Sequence, residues 1–195
     1  SGLIIPVGKW IIQNAFSMCT ECRKYYPEFR VSINLSYVQI LKSPLMMELK
    51  QIIEHSGISC SGIIVELTES GYLEGTPAVR SVWNDMKQLR IQIALDDFGT
   101  GYSNLMNISN LEPDIVKLDR GFTLKALSRS YEYQLMQYVI EMVHKLNQYV
   151  CVEGVETKED LEKIKALGPD LIQGYYYSKP CSRDEFLKKF FDYSE

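Results

Sequence analysis

Apolar positions along this chain alternate between two rhythms. Runs rich in β-branched and aromatic residues at 31–35, 63–67, 91–95, 115–118, 149–152 and 171–176 predict six strands. Most of these runs are almost continuously apolar, as parallel strands buried on both faces should be. Between them, apolar residues recur every three or four positions and predict helices. Ser43 before Pro44 reads as an N-cap and first-turn pair, with Leu49, Ile52 and Ile53 on one face and Gly57 as the stop. Thr76 and Pro77 repeat that device ahead of Val79, Val82, Met86 and Leu89. Thr157 with Asp160, and Ser182 with Glu185, read as capping boxes for two later helices, the first stopped by Gly168. A long helix is predicted from about 130 to 147, and an opening helix from 6 to about 25.

Strand and helix alternate six times, which calls for a parallel sheet with right-handed crossovers. An open doubly wound sheet and a closed barrel both satisfy that rule. An eight-stranded barrel typically takes about 250 residues, so a chain of 195 residues is short by about two strands. The opening helix has no strand before it, so the missing part is expected on the N-terminal side.

Composition narrows the function classes. At 46% hydrophobic and 24% charged, the chain reads as one globular domain. A net charge of −4 argues against a surface that grips a DNA or RNA polymer. There is no secretory leader and no long apolar run, so the expected location is cytoplasmic, with room for a membrane tether elsewhere in a parent chain. The five cysteines read as reduced thiols. Cys19 and Cys22 form a CxxC inside a helical pattern, without the second pair that a zinc site needs. His55 and His144 read as histidines of helix surfaces and ends.

The chemistry lies at the strand ends. In order, Asn34, Glu66, the pair Asp96 and Asp97, Lys117 with Asp119, Glu153 and Gln173 stand at or just after the C-terminal ends of the six runs. In a barrel those ends share one mouth, where polar residues read as catalytic. Carboxylates gathered there repel one another and need positive charge among them. Oxygen donors without His or Cys suit Mg²⁺ or Mn²⁺ better than Zn²⁺. Adjacent acids can serve two ions, and two ions suit phosphodiester cleavage by water. Lys117 adds a donor to steady developing charge. Each residue also has a plainer reading as turn former, helix cap, rim ion pair or packing group. An enolase-like barrel with a lysine base is a further reading, disfavoured by the Gly-rich turn after the paired acids.

The series Asn34-Leu35-Ser36, Glu66-Leu67-Thr68-Glu69-Ser70, Asp96-Asp97-Phe98-Gly99-Thr100-Gly101-Tyr102-Ser103, Lys117-Leu118-Asp119-Arg120, Glu153-Gly154-Val155-Glu156-Thr157 and Gln173-Gly174-Tyr175 resembles the EAL-domain family of cyclic di-GMP phosphodiesterases. The resemblance covers the whole chain, and residues 1–195 are expected to form an EAL-type barrel without its N-terminal strands. It implies a modified TIM (β/α)8 barrel that opens cyclic di-GMP to linear pGpG with two Mg²⁺ or Mn²⁺ ions. It also implies that Asn34, Glu66 and Asp96 hold one ion, that Asp96 and Asp97 reach the second, and that Asp119 supports the second. Lys117 and Glu153 would position or deprotonate the attacking water, Gln173 would contact water and metal, and Glu69 would fix the loop of residues 98–103. A homodimer, and a GGDEF or sensory domain in the parent chain, are further implications. The Glu-Ala-Leu segment that names the family is absent from this sequence, so weak or no turnover is expected of this chain alone. The alternative is a non-catalytic receptor for cyclic di-GMP.

Overall fold

The computed structural model describes residues 2–68, 76–100, 108 and 111–191. In chain order its elements are α1 (Ile4–Cys22), β1 (Val31–Asn34), α2 (Tyr37–Lys42), α3 (Leu45–Ser56), β2 (Ile63–Thr68), α4 (Pro77–Gln88), β3 (Gln92–Phe98), β4 (Ile115–Leu118), α5 (Arg120–Ser128), α6 (Ser130–Lys145), β5 (Tyr149–Glu153), α7 (Lys158–Lys165), β6 (Leu171–Gln173) and α8 (Arg183–Phe191). The six strands are hydrogen-bonded in chain order, and the registers of β1 with β2 and of β3 through β6 are parallel. The six predicted runs are therefore all strands.

The chain forms two compact units. The first carries α1 to α4, the start of β3 up to Ile93, and α8. Its helices bury one stripe each: Ile12, Phe16, Cys19 and Cys22 on α1, Leu45, Leu49 and Ile52 on α3, and Val79, Trp83 and Met86 on α4. The second unit is chiefly Ala94–Pro180. There all four residues of β4 are buried, as are Met136, Ile140 and Val143 on α6. These spacings of three and four are what a helix needs to bury one face.

The caps behave as the sequence predicts at Thr76 and Pro77, at Gly57 in left-handed conformation, and at the reciprocal pair Thr157 and Asp160. One start differs. α3 begins at Leu45 with Pro44 as its cap residue, while Ser43 closes α2 and donates its hydroxyl to the Gln39 carbonyl at 2.7 Å. α2 itself has a capping box, Ser36 with Gln39, that reading Asn34-Leu35-Ser36 as a turn overlooks. β6 stops at Gln173 rather than 176. Gly174 presses on the Val155 backbone, and the Tyr176 N–H donates to the Val155 carbonyl at 3.0 Å, which turns the chain away.

Cys19, Cys22 and Cys151 are buried, and burial pushes the thiols of Cys19 and Cys22 above their ordinary range. Thiolate is the reactive form. Brief iodoacetamide treatment of native protein should therefore label exposed Cys181 first and reach these three only after denaturation. Peptide mass spectrometry checks the order. Rapid native labelling of Cys19 or Cys22 would contradict their burial.

Candidate functional site

In the second unit, Lys117 is the centre of the strand-end chemistry. β4 buries it to 4% exposure, and its ammonium lies 3.0 Å from Asp96 Oδ1 and 2.6 Å from Glu153 Oε1. Strands β3, β4 and β5 are neighbours in register, so the three side chains come from adjacent strands. The positive charge that clustered acids require is thus partly supplied by the protein.

Adjacent strand residues ordinarily face opposite sides, and a bulge removes that difficulty for Asp96 and Asp97. From Leu95 to Phe98 β3 advances three residues while β4 advances two, from Val116 to Leu118. Asp97 takes a positive φ of 62°, a conformation that aspartate tolerates better than most residues. The Asp97 N–H donates to Asp96 Oδ1 at 3.0 Å. Burial pushes the Asp97 carboxyl above its usual range, the charges of Asp96 and Asp119 push it further, and Lys117 opposes them. Raised proton affinity is what a carboxylate shows when it is drawn out of water and has like charges nearby.

Asp119 has a structural task as well. It caps α5, accepting the Gly121 N–H at 2.8 Å, and its own N–H donates to the Phe98 carbonyl at 3.0 Å. α5 is the second helix not foreseen from the sequence; Lys117-Leu118-Asp119-Arg120 carries its start signal, an Asp N-cap directly after a strand. Arg120 grips Glu156 through Nε and Nη2, at 3.2 and 2.7 Å. Its stem lies against Gly154, where a Cβ would sit 2.4 Å from Arg120 Cγ. Gln173 is exposed at the end of β6, paired in register with Glu153.

In the first unit, Asn34 and Glu66 are register partners at the ends of β1 and β2. Glu66 is 6% exposed, and the Ser32 hydroxyl donates to its Oε1. Sequence reasoning missed Ser32, although it stands two residues before Asn34 and so on the same face of β1. Glu69, and the loop residues 101–103, lie outside the described residues.

The donor chemistry fits a hard divalent ion. In the second unit the Lys117 ammonium contacts Asp96 and Glu153, while burial and the charges of Asp96 and Asp119 raise the proton affinity of Asp97, so a hard cation would be favoured there. The arrangement is open: among the described residues no three His, Cys, Asp or Glu side chains close into a metal-binding group. No described helix is long and apolar enough to cross a membrane.

The family model for the EAL domain matches residues 1–180. Cyclic di-GMP phosphodiesterase PdeF of Escherichia coli K12 is 31% identical over 179 residues, which are 92% of this chain and 24% of that protein. Cyclic di-GMP phosphodiesterase PdeR of the same organism is 32% identical over 180 residues, 92% of this chain and 27% of that protein. Among solved structures, the EAL enzyme Bd1971 with cAMP and cyclic di-GMP bound superposes with a TM-score of 0.91 at 29% identity, covering 97% of this chain and 52% of that one. The c-di-GMP complex of the PaMucR phosphodiesterase gives 0.87 at 26% identity, covering 95% and 76%. The chain spans about a quarter of the length of these curated relatives. The superpositions identify the fold as α/β and TIM-barrel-like, with six parallel strands contributed by this chain.

Proposed function

The chain belongs to the EAL domain family, and from that premise we propose that the protein carrying it is a metal-dependent phosphodiesterase that hydrolyses cyclic di-GMP to linear pGpG. The observation that carries the reading is the Lys117 ammonium held between Asp96 and Glu153 at the ends of three neighbouring strands. Glu153, in contact with the Lys117 ammonium at 2.6 Å, accepts a proton from water. The water oxygen then bonds to phosphorus as the bond to the 3′ oxygen breaks, and the 3′ oxygen takes up a proton. Lys117 keeps Glu153 and Asp96 in place and favours the negative charge that develops on the phosphoryl oxygens. Asp96, Asp97 and Asp119 would hold divalent metal, Mg²⁺ or Mn²⁺, and Asn34 and Glu66 keep the ligand role that the family resemblance implies for them. Such ions, when bound, lower the pKa of water and neutralise phosphate oxygens. Gln173 contacts the water.

Incubation of the whole protein that carries this chain with cyclic di-GMP and Mn²⁺, followed by ion-pair chromatography, tests this. The unaltered protein should release pGpG, and Asp96→Asn should lower the rate by about a hundredfold or more. Binding of cyclic di-GMP without any release of pGpG would favour the receptor reading instead. Equal rates for the two forms would remove Asp96 from the mechanism.

A further inference from the structure

The first unit carries a groove between two of its helices. Lys9, Gln13, Ser17, Thr20 and Glu21 recur every three or four residues and form one stripe on α1, which Lys24 and Tyr25 continue just past its end. Gln51, Ile52, His55 and Ser56, the last turns of α3, face that stripe across a groove of about 750 Å³. The two helices are pinned at both ends of it, by Lys9 with Glu48 at 3.5 Å and by the Thr20 hydroxyl donating to the Ser56 carbonyl at 3.3 Å. The groove is therefore held open by its own walls. Its volume is in the range of small-ligand sites, which run from about 300 to 1,000 Å³.

The lining decides the ligand class. The net charge of the chain is −4, yet in this groove Lys9 is matched by Glu48 and the one lining acid, Glu21, by Arg183, which leaves the Lys24 ammonium as the uncompensated charge among the described lining residues. The Lys24 backbone N–H donates to the Glu21 carbonyl at 3.1 Å, while its ammonium has no ion-pair or hydrogen-bond partner among the described residues, so its charge is open to a ligand. Gln13, Ser17 and Gln51 add uncharged hydrogen-bonding groups, and their side chains are likewise without a partner there. Two features are apolar: Ile52, 8% exposed, forms part of the floor, and the Tyr25 ring, which packs edge-to-face with Phe191 at 6.1 Å between centroids and is still 56% exposed, stands at the end where Lys24 is. An anion beside a flat ring is what this combination accommodates.

We propose that the α1–α3 groove is a binding site for a nucleoside monophosphate, with the phosphate against Lys24 and the base against Tyr25. It takes no part in the hydrolysis and stands or falls independently of it. The test uses GMP, guanosine and inorganic phosphate as probes, in EDTA so that divalent ions do not draw phosphate to the carboxylates, with amide shifts of ¹⁵N-labelled protein as readout. GMP should shift residues 9–25 and 51–56 with a millimolar or tighter Kd. Guanosine and phosphate should each bind more weakly than GMP. Lys24→Gln should weaken GMP about tenfold, and Ser17→Glu, which places a like charge in the groove, should abolish the shifts; both positions are exposed, and unchanged melting temperatures would show that folding is intact. Shifts confined to other residues, no shifts at 10 mM GMP as a chosen ceiling of about tenfold the expected Kd, or equal binding by the Lys24→Gln protein would overturn the proposal.

Discussion

Replacing Lys117 by methionine is expected to destabilise the fold by about 3–5 kcal/mol, the usual cost of removing one partner from a buried ion pair. The lysine is 4% exposed and has two anionic partners, Asp96 at 3.0 Å and Glu153 at 2.6 Å. Methionine fills much of the same volume, so the loss comes from two carboxylates left facing each other without a counter-charge. Hydrolysis should fall by at least about a hundredfold, because the same ammonium orients the proposed base and favours phosphoryl charge. Urea denaturation in EDTA reads the first effect, and pGpG release in Mn²⁺ reads the second. Combining Lys117→Met with Asp96→Asn should restore part of the stability, since one orphaned charge is gone, but none of the activity. Full stability in the single variant would mean that the ion pair contributes nothing to the fold.

Gly174→Ala is the second large effect, and its cause is backbone crowding. A Cβ at this position would lie 2.0 Å from the Val155 carbonyl oxygen and 2.5 Å from the Val155 nitrogen. Neither is the end of a flexible side chain, so the clash is relieved only by parting the turn after β6 from the segment after β5. That movement would break the Tyr176 N–H bond to Val155, at 3.0 Å, and the Val155 N–H bond to Gln173, at 3.3 Å. A loss of about 3 kcal/mol or more is expected. Gly168→Ala makes the control. Gly168 has a φ of +73°, but nothing lies within 4 Å of its Cβ position, so only the conformational cost of about 1 kcal/mol applies. Equal melting temperatures for the two variants would show that the close approach at Gly174 is not maintained in solution.

Much of the fold was legible because its signals are local. Apolar runs marked all six strands, and Gly57, Thr76 with Pro77, and Thr157 with Asp160 marked helix ends through hydrogen bonds within a few residues. α2 and α5 escaped for a related reason. Each begins within two residues of a strand end, on Ser36 or Asp119, inside a segment whose polar residues read as strand-end chemistry. A single side chain can cap a helix and stand at a strand end at once, and Asp119 does both.

The candidate site was legible as a list but not as a set of contacts. That Lys117 sits between Asp96 and Glu153 depends on β3, β4 and β5 being neighbours in register, a long-range fact that no run of residues contains. The bulge at Asp96 and Asp97 depends on a one-residue mismatch between strands, and the raised proton affinity of Asp97 depends on its burial and on the neighbouring charges of Asp96 and Asp119. Ser32 as the partner of Glu66 was out of reach for the same reason.

Manganese itself offers the most direct test of the central claim, that the strand-end carboxylates hold a divalent ion. Electron paramagnetic resonance counts free Mn²⁺ as protein is added, without substrate. The unaltered protein should remove the free-ion signal, whereas Asp96→Asn, with Asp97→Asn beside it, should leave most of the ion in solution at the same concentrations. Indistinguishable titrations for all three proteins would contradict the account.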